Sequence, residues 1–181
     1  MALTDRLSID PVGESDGAAL IAANLASIEV HEPWVSPCRD QASFLAYLAS
    51  CDGPRKLGFV VRERASGRIA GIVNVSEIVR GPLQSAYLGY YGVIGFQGRG
   101  YMREALSWVV GHCFSALSLH RLEANIQPGN EASLALVRRL GFRKEGYSPR
   151  YLRMGGEWRD HERWAILADE WPAGSGGSAR P

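Results

Sequence analysis

The chain has 181 residues, of which 46% are hydrophobic and 22% are charged, and its formal net charge is +1. These values are typical of one soluble globular domain that is long enough to bury a substantial core. The near-neutral charge provides no overall attraction to nucleic acid or to a membrane surface, so neither is expected as a partner.

Hydrophobic periodicity and chain-breaking residues predict the order of the structural elements. Strands are expected at 6–11, 57–64, 69–77, 84–93, 121–126, 142–152 and 157–168, and helices at 13–30, 39–50, 100–117 and 131–140. Ser66 and Gly67 separate two alternating runs, which predicts a hairpin. This order predicts an α+β fold with a mixed sheet. Residues 1–172 are expected to form a single domain, followed by a disordered tail at 173–181.

The cysteines are Cys38, Cys51 and Cys113, an odd number without the short spacing of metal ligands. This pattern argues against a disulfide framework and fits a reducing compartment, so a cytoplasmic location is expected. The histidines pair with neither cysteines nor carboxylates at a ligand spacing, so no metal is expected. No apolar run is long enough to span a bilayer.

The most informative segment is a glycine-rich loop between a predicted strand and a predicted helix. Gly98 and Gly100 allow a tight turn and a close approach of the backbone to a ligand. The first turn of the following helix leaves amide N–H groups unpaired at its positive end, which suits a diphosphate. A Rossmann site is disfavoured because a third glycine is missing, and a P-loop is disfavoured because its lysine is missing.

The pattern around this loop resembles a known family. Residues 97–102 (Gln-Gly-Arg-Gly-Tyr-Met) resemble the coenzyme A loop of the GNAT acetyltransferases. Asn130 and Ser133, followed by Gly141 and Phe142, are similar to that family's second coenzyme-contacting helix. Shorter runs resemble the RimJ/RimL type, which acetylates protein N-termini; they lie at 88–90, 120–125, 145–147 and 158–161.

The resemblance covers roughly 6–171 and implies both a fold and a cosubstrate. The fold would be a GNAT-type mixed, mostly antiparallel sheet flanked by helices, with a splayed strand pair that holds coenzyme A. The cosubstrate would be acetyl-CoA. The resemblance implies that its diphosphate is bound by loop residues, namely Gly98, Arg99, Gly100, Tyr101, Met102 and Arg103.

Further site residues are implied by the same resemblance. The strand end at Tyr91, Gly92 and Val93 would pair its backbone with pantetheine amides, and an amide there would stabilise the oxyanion. Asn130 would contact the coenzyme and cap its helix. Ser133 is predicted to be the catalytic residue, with its hydroxyl donating to the departing sulfur. The acceptor groove is predicted to be lined by Glu29, Trp34 and Tyr151.

Three positions depart from the family pattern. Met102 stands where the loop usually ends in Gly or Ala, and it is tolerable if its side chain points into the core. Val137 stands where some members carry a tyrosine that protonates the thiolate. Asn125 stands where some carry a glutamate that acts as general base. Both losses match the RimL branch better, in which a serine at the position of Ser133 is implied to steady the thiolate.

The expected reaction is direct attack of a neutral primary amine on the thioester, most of all by a protein N-terminal α-amine, whose pKa lies near ~8. Two alternatives stay open: acetylation of a small amine, and a non-catalytic coenzyme A-binding module. A polyamine groove would need an acidic lining, and the sequence shows no acidic cluster. The general base is unassigned, with Glu29, His31, Glu32 and Glu77 as candidates. A homodimer is compatible with the resemblance.

Overall fold

The structure is a computed structural model that describes residues 2–172. Its strands are β1 (Ala2–Leu3), β2 (Leu7–Pro11), β3 (Lys56–Glu63), β4 (Ile69–Val79), β5 (Ser85–Gly92), β6 (Arg121–Ile126), β7 (Arg143–Met154) and β8 (Glu157–Leu167). Its α-helices are α1 (Gly17–Ala26), α2 (Ile28–His31), α3 (Gln41–Ser50), α4 (Tyr101–Ser115) and α5 (Glu131–Arg139). The tail predicted at 173–181 lies outside the described residues.

The strands form one sheet in the order β1-β2-β3-β4-β5-β6-β8-β7. Across residues 2–172, β5 and β6 are the only parallel neighbours, and every other pair is antiparallel. The predicted α+β fold with a mostly antiparallel sheet is therefore confirmed, and so is the hairpin at Ser66 and Gly67, which joins β3 to β4.

Both faces of the sheet centre are covered by helices. Phe59 of β3 contacts the ring of Trp108 of α4 at 5.9 Å between centroids, whereas α1 packs on β4 and on α3 from the other face. Consecutive residues of β3 and β4 are consequently buried on both sides, from Phe59 to Val61 and from Ile69 to Val73. Such continuous apolar runs are typical of strands between two helical layers.

The prediction of one continuous helix at 13–30 is wrong. A short 3-10 helix at Glu14–Asp16 precedes α1, and the chain breaks again at Ser27 before α2. The Ser27 hydroxyl donates to the carbonyl of Ala23 at 2.7 Å and accepts the amide of Ile94 at 3.0 Å. This bond to a distant loop fixes the break, and the apolar spacing of the segment carries no sign of it. The two-residue strand β1 is too short to be predicted by periodicity.

Candidate functional site

The parallel pair β5–β6 opens into a gap. Pairing runs only from Ser85 opposite Arg121 to Tyr87 opposite Glu123, although β5 continues to Gly92 and β6 to Ile126. The backbone of β5 beyond Tyr87 therefore has no strand beside it on the β6 side. Such a splay leaves amide and carbonyl groups available to an extended ligand, because the backbone groups at a strand edge are unpaired.

Strand alternation decides which residues of β5 face this gap. The amide of Val93 donates to the carbonyl of Ala70 at 2.9 Å, so the polar groups of Val93 turn toward β4. Because alternate residues of an antiparallel strand turn to opposite neighbours, Tyr91 also faces β4, while Tyr90 and Gly92 face the gap. Of the three strand-end residues predicted from the sequence, Gly92 is thus the one that offers its backbone there.

The glycine-rich loop has the geometry that its sequence predicted. Gly98 and Gly100 adopt φ values of 73° and 78°, in the left-handed region that other residues avoid. Helix α4 begins immediately afterwards at Tyr101, and Gly100 provides no side-chain cap. The first-turn amides of α4 are therefore free to bind an anion at the positive end of a 15-residue helix.

The Met102 side chain points into the core, which is the condition under which a side chain larger than Gly or Ala fits at this loop position. A Cβ atom at Gly71 would overlap the Met102 sulfur, and one at Gly92 would lie 3.5 Å from Met102 Cγ. Glycines on two adjacent strands thus make room for the larger side chain, which packs partly buried against the core.

The basic side chains of the loop lie at the surface. Arg99 is 55% exposed, and its Nη1 lies 3.5 Å from the carboxylate of Glu63. The side chain of Arg103 is exposed and makes no ion pair or hydrogen bond within residues 2–172. The loop itself is held by Glu63, which accepts the Tyr101 hydroxyl at 2.6 Å, and by Arg6, which donates to the Arg99 carbonyl at 2.9 Å. Hydrogen bonds from Ser66 and Tyr101 keep the pKa of Glu63 below its ordinary value.

The two residues predicted on α5 lie together at its start. Asn130 caps the helix, with Oδ1 accepting the amide of Ser133 at 3.2 Å. The Ser133 hydroxyl lies 2.7 Å from the hydroxyl of Tyr90, which reaches it from β5. The sequence marked Tyr90 only as part of a family-like run and gave no sign of this contact.

His31 connects α2 to the end of β5. Its Nε2 lies 2.8 Å from the Gly92 carbonyl, and its ring meets Tyr91 edge-on at 4.9 Å between centroids. The side chain is buried, and its Nδ1 has no partner among the described residues. Burial lowers the pKa of His31, against the opposing effect of the Gly92 bond. His31 is therefore neutral with its proton on Nε2, because only a protonated ring nitrogen can donate to a carbonyl.

The three predicted acceptor residues lie on different segments, and none of their side chains is recorded in contact with another of the three. Glu29 is exposed on α2. Trp34 lies over the turn before α5, where a Cβ atom at Gly129 would be 3.7 Å from its ring. Tyr151 lies beside Tyr87 and raises the pKa of that residue to about 12. Their use as one acceptor groove stays a prediction.

A pocket of 280 Å³ lies on the α3 face of the sheet, beside the end of β5. It is lined by Val35, Ser36, Pro37, Cys38, Ser43, Tyr47, Lys56, Asn74 and Tyr91. The Tyr47 hydroxyl donates to Asn74 Oδ1 at 2.7 Å, and Lys56 Nζ lies 4.9 Å from the Tyr47 ring. A larger cavity of 590 Å³ lies at the opposite end of the sheet, near Arg80 and Leu117, away from the glycine loop.

Two further findings concern metals and membranes. Among residues 2–172, no group of three or more His, Cys, Asp or Glu side chains is placed to hold a metal ion. The helices in this part of the chain are all too short or too polar to cross a bilayer.

Comparisons with known proteins agree with this geometry. A family model described as an acetyltransferase (GNAT) domain matches residues 6–143. The [ribosomal protein uS5]-alanine N-acetyltransferase of Escherichia coli is 34% identical over 180 residues, covering 94% of this chain and 92% of that protein. RimJ of Mycobacterium smegmatis, solved in complex with CoA-disulfide, is 33% identical with a TM-score of 0.85, covering 93% and 85% of the two chains.

A more distant structure shares the fold alone. Spermidine N-acetyltransferase from Vibrio cholerae, in complex with CoA and spermine, is 22% identical with a TM-score of 0.75. The match covers 92% of this chain and 98% of that one.

Proposed function

Because the chain belongs to the GNAT acetyltransferase family and is an acetyl-CoA-dependent N-acetyltransferase, we propose that its acceptor is the N-terminal α-amine of a protein, such as a ribosomal protein. Similarity to the uS5-alanine enzyme extends over nearly the whole of both chains and supports this acceptor. The alternatives are a small-molecule amine and a coenzyme-binding module without turnover.

The residues of the gap and the loop fit coenzyme A. The free amides of Gly98 to Arg103 would bind the diphosphate, with Arg103 adding an unpaired positive charge. The backbone of Tyr90 would pair with the pantetheine arm, whereas Gly92, whose carbonyl is bonded to His31, has only its amide to offer in the gap. Asn130 would contact the arm at the start of α5. The coenzyme supplies an acetyl group activated as a thioester.

The observation that carries the choice of acceptor is the charge of the pocket beside Tyr91. Its lining, all of it within the described residues, contains Lys56 and no carboxylate. If the acceptor enters through this pocket, the several positive charges of a polyamine would meet repulsion from Lys56, with no carboxylate in the lining itself to offset it. An N-terminal residue with a small neutral side chain brings only its amine, which can enter in the neutral form.

The attack of the amine on the thioester needs only modest help from the protein. An N-terminal amine has a pKa near ~8, so a substantial fraction is neutral at physiological pH and can attack the thioester carbonyl directly. The amide of Gly92 faces the gap and is suited to stabilise the oxyanion, and Ser133 is suited to donate to the departing sulfur. The amine's proton leaves to water.

Release of free thiol from acetyl-CoA tests this proposal. We expect turnover with peptides that begin with Ala or Ser, no turnover with the same peptides already acetylated at the N-terminus, and kcat/KM for spermidine at least tenfold lower, as about 1.4 kcal/mol of repulsion would give. Preference for spermidine would establish the small-amine alternative. Calorimetric binding of coenzyme A with no turnover on any amine would establish the non-catalytic one.

A cytoplasmic location and a homodimer stay predictions. The first agrees with the three cysteines, all of which are free thiols in the described part of the chain.

A further inference from the structure

The face of α5 that turns toward β5 carries Ser133 and Val137, which lie one helical turn apart. Val137 is 1% exposed and belongs to the hydrophobic core. Its aliphatic side chain has no proton to give to a thiolate. Any hydroxyl donor on this face must therefore come from Ser133 or from a residue that reaches it.

Tyr90 reaches it from the gap. This residue lies three positions beyond Tyr87, the last residue of β5 that pairs with β6. It shares a face of β5 with Gly92, whose Cβ position looks onto Met102 of α4, so the Tyr90 ring points to the α4–α5 side. The 2.7 Å contact between the Tyr90 and Ser133 hydroxyls therefore links the open strand to the first turn of α5.

The direction of this hydrogen bond follows from acidity. A phenol is a stronger donor than an alkyl hydroxyl, and the serine oxygen has two lone pairs to accept it. Burial raises the pKa of Tyr90 to about 12, so the phenol keeps its proton and cannot serve as a base at neutral pH. Within residues 2–172, the Ser133 hydroxyl has no other partner, and its backbone amide is taken by Asn130. The Ser133 proton is consequently left free for a ligand.

We propose that Tyr90 is a positioning residue: it donates to Ser133 Oγ and so aims the Ser133 proton at the sulfur that leaves during acetyl transfer. The pair would fill the role that is lost at Val137. This inference rests on the proposed function, in which Ser133 donates to that sulfur.

The step balances without any further reactant. The amine nitrogen forms a bond to the acetyl carbon, the carbon–sulfur bond breaks, and its electron pair goes to sulfur. Ser133 donates a hydrogen bond to the thiolate, which is then protonated by solvent, while the amine loses one proton to water. Tyr90 keeps its proton throughout.

Variants of the pair test the assignment by kinetics. We expect Ser133→Ala to lower kcat by tenfold to about a hundredfold, as loss of one hydrogen bond to a charged group does. Tyr90→Phe should lower kcat by about threefold to tenfold without changing KM for acetyl-CoA. The double variant should be no slower than Ser133→Ala within about twofold, because both changes remove one linked interaction. Ser133→Thr should keep most of the activity.

A second readout does not depend on turnover. The thiol of bound coenzyme A is titrated by the ultraviolet absorbance of its thiolate, in wild type and in each variant. The pKa of the bound thiol should be lowest in wild type, higher in Tyr90→Phe and highest in Ser133→Ala, because each change weakens the donor to the thiolate. Tyr147 lies exposed on β7, and its hydroxyl is bonded to Asp160 of β8, so Tyr147→Phe should match wild type in both readouts.

Two results would overturn the inference. A loss from Tyr90→Phe that is as large in the Ser133→Ala background as in wild type would make the two residues independent. If the pKa of the bound thiol were the same in wild type and in both variants, Tyr90 and Ser133 would not act on the thiolate. Failure of the proposed function is a separate outcome, seen as wild-type protein that titrates the bound thiol as expected but turns over no amine.

Discussion

The two sides of the β5 end differ in how the protein builds them. The proposed coenzyme side consists of backbone groups: the open edge beyond Tyr87, the left-handed glycines and the uncapped first turn of α4. The proposed acceptor side consists of side chains from distant segments, such as His31 on α2, Tyr47 on α3 and Lys56 on β3. Backbone sites need particular residues at fixed spacing and so leave a motif, whereas side-chain sites depend on packing and leave none.

Among changes that set the two sides apart, the largest effect is expected where the backbone itself forms the site. Gly98→Val should raise KM for acetyl-CoA by roughly thirtyfold, since a β-branched residue is strained at a φ of 73° and the loop must change shape. Gly81→Val is the matched control, because Gly81 has a φ of 67° and equally open surroundings at the far end of the sheet. Equal KM values in the two variants would show that the loop is not part of the coenzyme site. Thermal unfolding of both variants measures the loss of stability that each strained valine causes.

Charge reversal on the acceptor side should change selectivity by less. Lys56→Glu places a carboxylate in the pocket beside Tyr91, and the kcat/KM ratio of spermidine to an Ala-starting peptide should rise about tenfold. Arg80→Glu makes the same change of net charge at the opposite end of the sheet and should leave the ratio unchanged. An equal rise in both variants would mean that net charge, and not this pocket, sets the selectivity.

The contact that joins the two sides is His31 to Gly92, and its loss should cost several-fold in kcat. His31→Gln can still place an N–H near the position of Nε2, whereas His31→Asn carries its N–H near the position of Nδ1 and cannot reach the carbonyl. We expect Gln to retain more of kcat than Asn, measured with a saturating peptide. Equal loss in both would show that the ring fills space and does not position Gly92.

The smallest effect concerns stability against pH. His31 is held neutral in the folded protein with a lowered pKa, so the unfolded chain takes up a proton first as pH falls. Stability is therefore complete above the ordinary histidine pKa of about 6.5 and declines below it. Denaturant unfolding between pH 7.5 and 5 should show a weaker decline in His31→Gln than in wild type. His112 and His161 are also shifted downward by burial, so a residual decline is expected in both proteins.

Prediction from sequence succeeded where the signal is local. The strand ends, the hairpin at Ser66 and Gly67, and the start of α4 at the glycine loop all follow from short-range chemistry. It failed at Ser27, where a hydrogen bond to Ile94 breaks a helix whose apolar spacing looked continuous. The grouping of Glu29, Trp34 and Tyr151 in one acceptor groove stays a prediction.

The sequence by itself determined the family, the fold and the geometry of the glycine loop, because glycine conformations and helix starts are properties of a few neighbouring residues. Tertiary structure alone decided that Gly92 and not Tyr91 faces the gap, and that Tyr90 meets Ser133. It also decided that Met102 finds room against Gly71. Each of these depends on strand register and on segments tens of residues apart. A one-residue slip in register would reverse the first of them, and no local pattern encodes the register.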